Sequence, residues 1–150
     1  MGKLKKLVLT IYVVCFTVVS VAAQSNSVNT DQDTLVVNAR IVEIPGTFAP
    51  NDLYNYVYVM KYRVLEVIEG DWEEREILVG HYNPLIPRRQ ISGRMAQIIK
   101  GNVDGFQRGD RHTLTLVRPI SSLWNEAVED EYFDIDDESK FLAINVETLE

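Results

Sequence analysis

The sequence predicts a mainly β fold, a five-stranded closed barrel of the OB type, from three observations. Several short segments alternate apolar and polar residues with the period of a strand. One of them, residues 54–69, is long and changes the parity of its apolar positions midway. An irregular or helical stretch separates the third strand from the fourth, which is the layout of an OB-like barrel. A β-sandwich is the alternative fold for the same strands.

Residues 1–23 have the order of a cleavable signal peptide. Lys3, Lys5 and Lys6 precede a mostly apolar run, residues 7–19, and small residues precede Gln24. The apolar run is shorter than the roughly 20 residues that a membrane-spanning helix needs. We therefore expect an exported protein, periplasmic or extracellular, without stable membrane insertion.

The composition restricts the partners of the exported chain. The whole sequence has 15 basic and 22 acidic residues, a net charge of −7. Cleavage after residue 23 removes three lysines, which leaves 12 basic against 22 acidic residues and a net charge of −10. This charge argues against nucleic acid as a partner. Residues 24–33 are polar and predict a flexible leader, and residues 34–150 are predicted to form one domain without cysteine.

The first two strands follow from alternation. Residues 35–41 place apolar side chains at every second position, and Pro45-Gly46 ends the segment. In residues 54–69, the parity of the apolar positions predicts a β-bulge near Val64. The inward-facing set then changes from Tyr62 and Val64 to Leu65 and Val67.

Three further strands and two helical segments are predicted in the second half of the chain. The strands cover residues 77–82, the region of Leu114 and Leu116, and residues 141–146. Between the third and fourth strands, the spacing of apolar residues predicts a short helix or an irregular insert, capped by Ser92 and ended by Gly101. The apolar residues with helical spacing are Met95, Ile98 and Ile99. A second short helix is predicted at residues 123–128.

A resemblance supports the barrel. The segment from Val57 to Gly70, followed by Ile77-Leu78-Val79, resembles small secreted bacterial proteins with an OB-like barrel. It is distantly similar to the netrin and tissue-inhibitor-of-metalloproteinase modules. The resemblance implies either an accessory role near exported polysaccharide or a protein-binding inhibitor module. The inhibitor modules use an N-terminal cysteine, which the predicted exported chain lacks.

Few residues in the sequence are suited to catalysis or metal binding. His81 and His112 are the only histidines, and a small hydrolase or metal-dependent enzyme would need one of them beside a serine or carboxylates. No catalytic or phosphate-binding motif surrounds either histidine. The acidic run around Asp134 lacks the glycine and the glutamate of a calcium loop. No catalytic residue, metal or cofactor is therefore predicted.

Charge and aromatic residues predict a binding module instead. If the third and fourth strands and their insert form one end of the barrel, six basic residues form a basic rim that suits an anionic glycan or an acidic envelope protein. Tyrosines at alternate positions share one face of the long strand and suit stacking on sugars or packing in the core. The rim is Arg88, Arg89, Arg94, Lys100, Arg108 and Arg111, and the tyrosines are Tyr54, Tyr56 and Tyr58. The predicted function is a secreted, non-catalytic binding or accessory module of the cell envelope.

Overall fold

In a computed structural model, which describes residues 33–129 and 132–150, alternating apolar residues form the strands of one sheet. Leu35, Val37, Ala39 and Ile41 of the first strand are buried, whereas the residues between them are partly or fully exposed. This pattern is the period of a strand with one face in the core. The strands are β1 (Asp33–Glu43), β2 (Val57–Glu69), β3 (Glu76–Tyr82), β4 (Lys100–Gly101), β5 (Arg111–Arg118) and β6 (Lys140–Thr148).

Five of these strands close into the predicted barrel. The strands follow the order β3-β2-β1-β5-β6, with antiparallel neighbours, and β3 pairs with β6 in parallel. The parallel pair, which includes Val79 opposite Phe141, joins the two ends of the sheet. The short strand β4 lies outside the barrel and pairs with β6. The fold is therefore an OB-like barrel and not a sandwich of two sheets.

The predicted bulge in β2 is present, but it directs one side chain differently from the prediction. Asn38 lies opposite Glu66 and Ala39 lies opposite Val64, so Leu65 is the extra residue. Leu65 is 46% exposed, and the prediction that it faces inward is wrong. Val64 and Val67 both pack against the core, because the extra residue shifts the alternation of inward and outward side chains by one position.

The two helical segments are only short turns. The insert between β3 and β5 contains 3-10 turns at Arg88–Gln90 and Gly93–Gln97. The Ile98 and Ile99 amides donate to the carbonyl oxygen of Met95 at 3.0 and 2.7 Å, so the helical spacing of these residues reflects a single turn. Gly101 belongs to β4 and does not end a helix. The helix predicted at residues 123–128 is absent; a 3-10 turn lies before it, at Ile120–Ser122.

The loop between β5 and β6, residues 119–139, is fastened to the barrel. Val57 at the start of β2 donates its amide to the carbonyl oxygen of Val128 at 2.8 Å. Lys140 at the start of β6 is buried, and its ammonium group lies 3.1 Å from Glu129 Oε2. These two contacts hold the described part of the loop beside the first residues of β2 and β6.

The predicted signal peptide and nearly all of the predicted leader lie outside the described residues. No helix formed by residues 33–129 and 132–150 has the length and hydropathy to cross a membrane.

Candidate functional site

The interior of the barrel contains a polar group that the sequence did not predict. The Tyr62 hydroxyl oxygen lies 3.0 Å from His81 Nε2 and 3.3 Å from His112 Nδ1. Because a hydroxyl carries one proton, it donates to one imidazole and accepts an N–H from the other. Both rings contact Phe106, with centroid distances of 4.4 Å from His81 and 5.7 Å from His112. We call Tyr62, His81 and His112 the interior triad.

Burial keeps the interior triad uncharged. His81 is completely buried, and this burial, aided by the nearby charge of Arg88, holds its pKa well below the ordinary value. Burial also lowers the pKa of His112, although the negative charge of Asp110 opposes the shift. Burial raises the pKa of the Tyr62 hydroxyl well above its usual value. At neutral pH the triad is therefore a neutral, hydrogen-bonded part of the core.

Arg88 is buried at the end of the barrel. It is 2% exposed, and its Nη2 donates to the carbonyl oxygens of Tyr82, Asn83 and Ile86 at 2.7, 2.8 and 3.0 Å. Its guanidinium carbon lies 5.3 Å from the ring centroid of Phe106. Burial lowers the pKa of Arg88 to about 10, so the side chain stays charged at neutral pH. Its contacts hold the turn that follows β3.

The two histidines lie in an environment that differs from the one that the alternative enzyme hypothesis requires. That hypothesis requires a serine or a carboxylate within hydrogen-bond reach of one ring. In the described residues, no serine hydroxyl or carboxylate is hydrogen-bonded to His81 or His112, and both rings are at most 2% exposed. Within residues 33–129 and 132–150, no cluster of histidine, cysteine, aspartate and glutamate side chains is suited to a metal ion.

The six residues of the predicted basic rim do not share one environment. Arg88 lies inside the molecule, as described above. Arg89 is exposed, and its Nη2 lies 3.0 Å from Asp104 Oδ1. The Lys100 ammonium group donates to the carbonyl oxygen of Ala96. The remaining members, Arg94, Arg108 and Arg111, are exposed.

The three tyrosines divide between core and surface. Tyr56 is 4% exposed, and its hydroxyl donates to the carbonyl oxygen of Ala49 at 2.6 Å. Tyr58 is 2% exposed and meets the Phe48 ring edge to face at 4.8 Å. Only Tyr54 of the three is exposed. The face that Tyr56 and Tyr58 share is therefore the core face, where neither ring is open to a sugar.

A groove on the outside of the barrel brings together residues that the sequence analysis did not select. It has a volume of about 400 Å³ and lies between β2, β3 and the loop of residues 119–139. In an OB barrel, the face of the second and third strands and the loop between the fourth and fifth strands bind oligosaccharides and oligonucleotides. The groove occupies this place in the fold. Its lining includes Lys61, Trp72, Glu74, Glu76, Arg118 and Phe133.

Two cations lie against aromatic rings in this groove. The Lys61 ammonium group is 5.2 Å from the ring centroid of Phe133 and 3.0 Å from Glu43 Oε2. The Arg118 guanidinium carbon is 5.8 Å from the ring of Trp72 and 4.9 Å from that of Phe141. The groove therefore offers aromatic surface, positive charge and carboxylates side by side, which suits a ligand with both apolar faces and polar edges.

A second groove, of about 420 Å³, is lined by Arg94 and residues 121–126, which include Trp124. Apart from Arg94, it is built from the loop after β5, whereas residues of three barrel strands, β2, β3 and β5, line the first groove. Sites built on strands hold their side chains more precisely than sites on loops. We therefore take the groove on β2 and β3, hereafter the β2–β3 groove, as the candidate site.

The sequence contained only an indirect sign of the β2–β3 groove. Trp72 follows the Gly70-Asp71 turn between two predicted strands, a position at the edge of a sheet. Phe133 and Arg118 are far from Trp72 in the sequence, and only the closure of the barrel brings them together. No family model, curated protein or solved structure matches this chain.

Proposed function

We propose that the chain is an exported, non-catalytic module of the cell envelope that binds an oligosaccharide in the β2–β3 groove. The observation that carries the proposal is the place of the groove in the fold. An OB-like barrel uses this face for polymeric ligands with alternating flat and polar surfaces. Export itself rests on the sequence of residues 1–23.

The lining of the groove supports a sugar ligand. Phe133 is partly exposed and offers ring surface, and apolar sugar faces pack on aromatic rings. Glu74 and Glu76 are exposed carboxylates that accept hydrogen bonds from hydroxyl groups. The neighbouring Lys61 donates hydrogen bonds to ring or hydroxyl oxygens. Aromatic surface and polar groups thus occur within one groove of suitable size.

An affinity measurement on two variants tests this proposal. The probes are a neutral cello-oligosaccharide and a methyl-esterified oligogalacturonide, together with their sulfated and free-acid forms. Phe133→Ala removes ring surface from the groove, and we expect it to weaken binding of every accepted probe about tenfold. Tyr54→Ala is the matched control, because it removes an exposed aromatic ring that lies in the loop before β2.

The control also separates two hypotheses. Full affinity of Tyr54→Ala together with reduced affinity of Phe133→Ala supports the groove. The reverse result contradicts the groove and favours the outer tyrosine as the stacking surface. If the unaltered protein binds none of the four probes, the oligosaccharide proposal is wrong, and a protein ligand becomes the better hypothesis.

A further inference from the structure

Three arginines form a row across neighbouring strands on the outside of the barrel. Arg40 on β1 lies directly opposite Arg63 on β2 and directly opposite Arg111 on β5. All three residues are exposed. Directly opposed residues point to the same face of a sheet, so these side chains leave the barrel side by side. We call Arg63, Arg40 and Arg111 the arginine row.

The described structure does not neutralise this row. The only ion pair of a row member with a described residue joins Arg63 Nη2 to Glu76 Oε1, at the long distance of 4.0 Å. Like charges directly opposite each other destabilise a sheet. The row is therefore unfavourable for the folded protein alone, and Arg40 has an arginine on each side.

Nearby acids are engaged elsewhere. Glu66, next along the sheet, accepts a hydrogen bond from Asn38 Nδ2 at 2.9 Å. Asp110, beside Arg111 in the sequence, accepts a hydrogen bond from the Gln107 amide at 2.8 Å. Within the described residues neither carboxylate forms an ion pair with Arg40 or Arg111, so both guanidinium groups are directed to the outside without a paired acid.

The length and position of the row indicate the shape of the missing anion. Neighbouring strands are separated by about 4.8 Å, so the row extends about 10 Å perpendicular to the strands. That length exceeds the width of a single small anion. It suits successive acidic groups along one polymeric ligand. Glu76, which lies opposite Arg63, lines the β2–β3 groove, so the row begins at the edge of the groove.

We propose that the arginine row binds the acidic groups, carboxylate or sulfate, of an anionic polysaccharide whose neighbouring sugars occupy the β2–β3 groove. This inference rests on the proposed function. Each guanidinium group presents a planar set of donors that matches carboxylate and sulfate oxygens. The hydroxyl groups of a sugar chain donate hydrogen bonds to the Glu74 and Glu76 carboxylates in the groove, which the phosphate groups of a nucleic acid cannot do.

The test compares charged and neutral forms of the same sugars. The probes are the oligogalacturonide against its methyl ester and the sulfated cello-oligosaccharide against its neutral parent, so carboxylate and sulfate are tested separately. Arg40→Gln removes the centre of the row, and the triple variant Arg40→Gln, Arg63→Gln, Arg111→Gln removes all of it. Arg94→Gln is the matched control, because it makes the same charge change at an exposed arginine of the Gly93–Gln97 turn.

We expect at least one charged form to bind about tenfold more tightly than its neutral form at low salt. Arg40→Gln reduces that preference, the triple variant abolishes it, and Arg94→Gln retains it. Binding of the neutral forms by the triple variant stays unchanged, which separates the row from the groove. Equal binding of charged and neutral forms by the unaltered protein overturns the arginine-row proposal while the oligosaccharide proposal stands.

Two further outcomes would also overturn the arginine-row proposal. Equal losses in Arg40→Gln and Arg94→Gln would show that net charge alone is responsible. Tight, row-dependent binding of a single-stranded DNA oligomer or an acidic peptide, without any binding of the charged sugars, would assign the row to a different class of macromolecule.

Discussion

The Tyr62 hydroxyl oxygen lies 3.0 Å from His81 Nε2 in the completely buried interior of the barrel. This hydrogen bond joins β2 to β3, and the second contact of the same hydroxyl, with His112, reaches β5. A single side chain thus connects three of the five barrel strands. The stability of the domain should depend on it.

Tyr62→Phe keeps the ring and removes the hydroxyl group. Two buried imidazole nitrogens then lose their partner, and a buried polar group without a partner costs about 1–3 kcal/mol. We expect the free energy of unfolding to fall by about this amount in a urea titration. An unchanged midpoint would show that the triad contributes nothing to stability.

The interior triad makes stability depend on pH. An unfolded histidine has a pKa of about 6.5, and burial lowers the pKa of both His81 and His112 below that value in the folded protein. Between the folded and the unfolded pKa, the unfolded chain binds more protons. The free energy of unfolding should therefore decrease as the pH falls below about 6.5.

Urea titrations at a series of pH values measure this decrease. His81→Gln removes one of the two titrating groups and should flatten the curve between about pH 6.5 and pH 5. The same slope in His81→Gln and in the unaltered protein would contradict the assignment to His81.

Arg88 and Arg89, which are neighbours in the sequence, should differ strongly in their contribution to the free energy of unfolding. Arg88→Gln removes a buried guanidinium group that satisfies three carbonyl oxygens, and we expect a loss of about 3 kcal/mol. Arg89→Gln breaks only an exposed ion pair with Asp104, which contributes less than about 1 kcal/mol. Thermal unfolding of both variants provides the comparison. Equal effects would show that the burial of Arg88 is not important for the fold.

Gly80 is required by the packing between β3 and its neighbours. A Cβ at this position would collide with Val57 Cγ1 and lie 3.1 Å from Ile120 Cδ1. Gly80→Ala should therefore destabilise the domain by about 1–3 kcal/mol. Gly105→Ala is the control, because a Cβ there meets nothing within 4 Å. Circular dichroism during thermal unfolding distinguishes the two variants.

The sequence predicted β1 and the second half of β2 well because these segments have one face towards the core and one towards solvent, whereas β3, which is buried on both faces, was predicted from a continuous apolar run. The alternation in β1 and the parity change in β2 depend on that difference alone. Register is a relationship between distant segments, so the sequence did not reveal that Arg40 lies between Arg63 and Arg111. The sequence predicts Arg88 at the surface, since charged residues are rarely buried. In the structure Arg88 is buried, and the carbonyl oxygens that accept its hydrogen bonds explain this exception.

The helical prediction failed for a related reason. The spacing of Met95, Ile98 and Ile99 satisfies one helical turn, but the chain then leaves the turn to pair with β6 through Lys100. Pairing with a distant strand took precedence over local spacing. The β2–β3 groove was missed in the same way, because its aromatic and charged residues come from different segments and meet only when the barrel closes.

The two tryptophans of the chain permit the most direct test of the central claim, that the β2–β3 groove binds the ligand. Trp72 lines this groove, and Trp124 lines the second groove, which Arg94 and residues 121–126 form. The indole N–H signals of the two side chains are followed by NMR during titration with the oligogalacturonide, the sulfated cello-oligosaccharide and their neutral forms. We expect the Trp72 signal to move in a saturable manner and the Trp124 signal to stay in place. Movement of Trp124 alone, or of neither signal at saturating ligand, would contradict this claim.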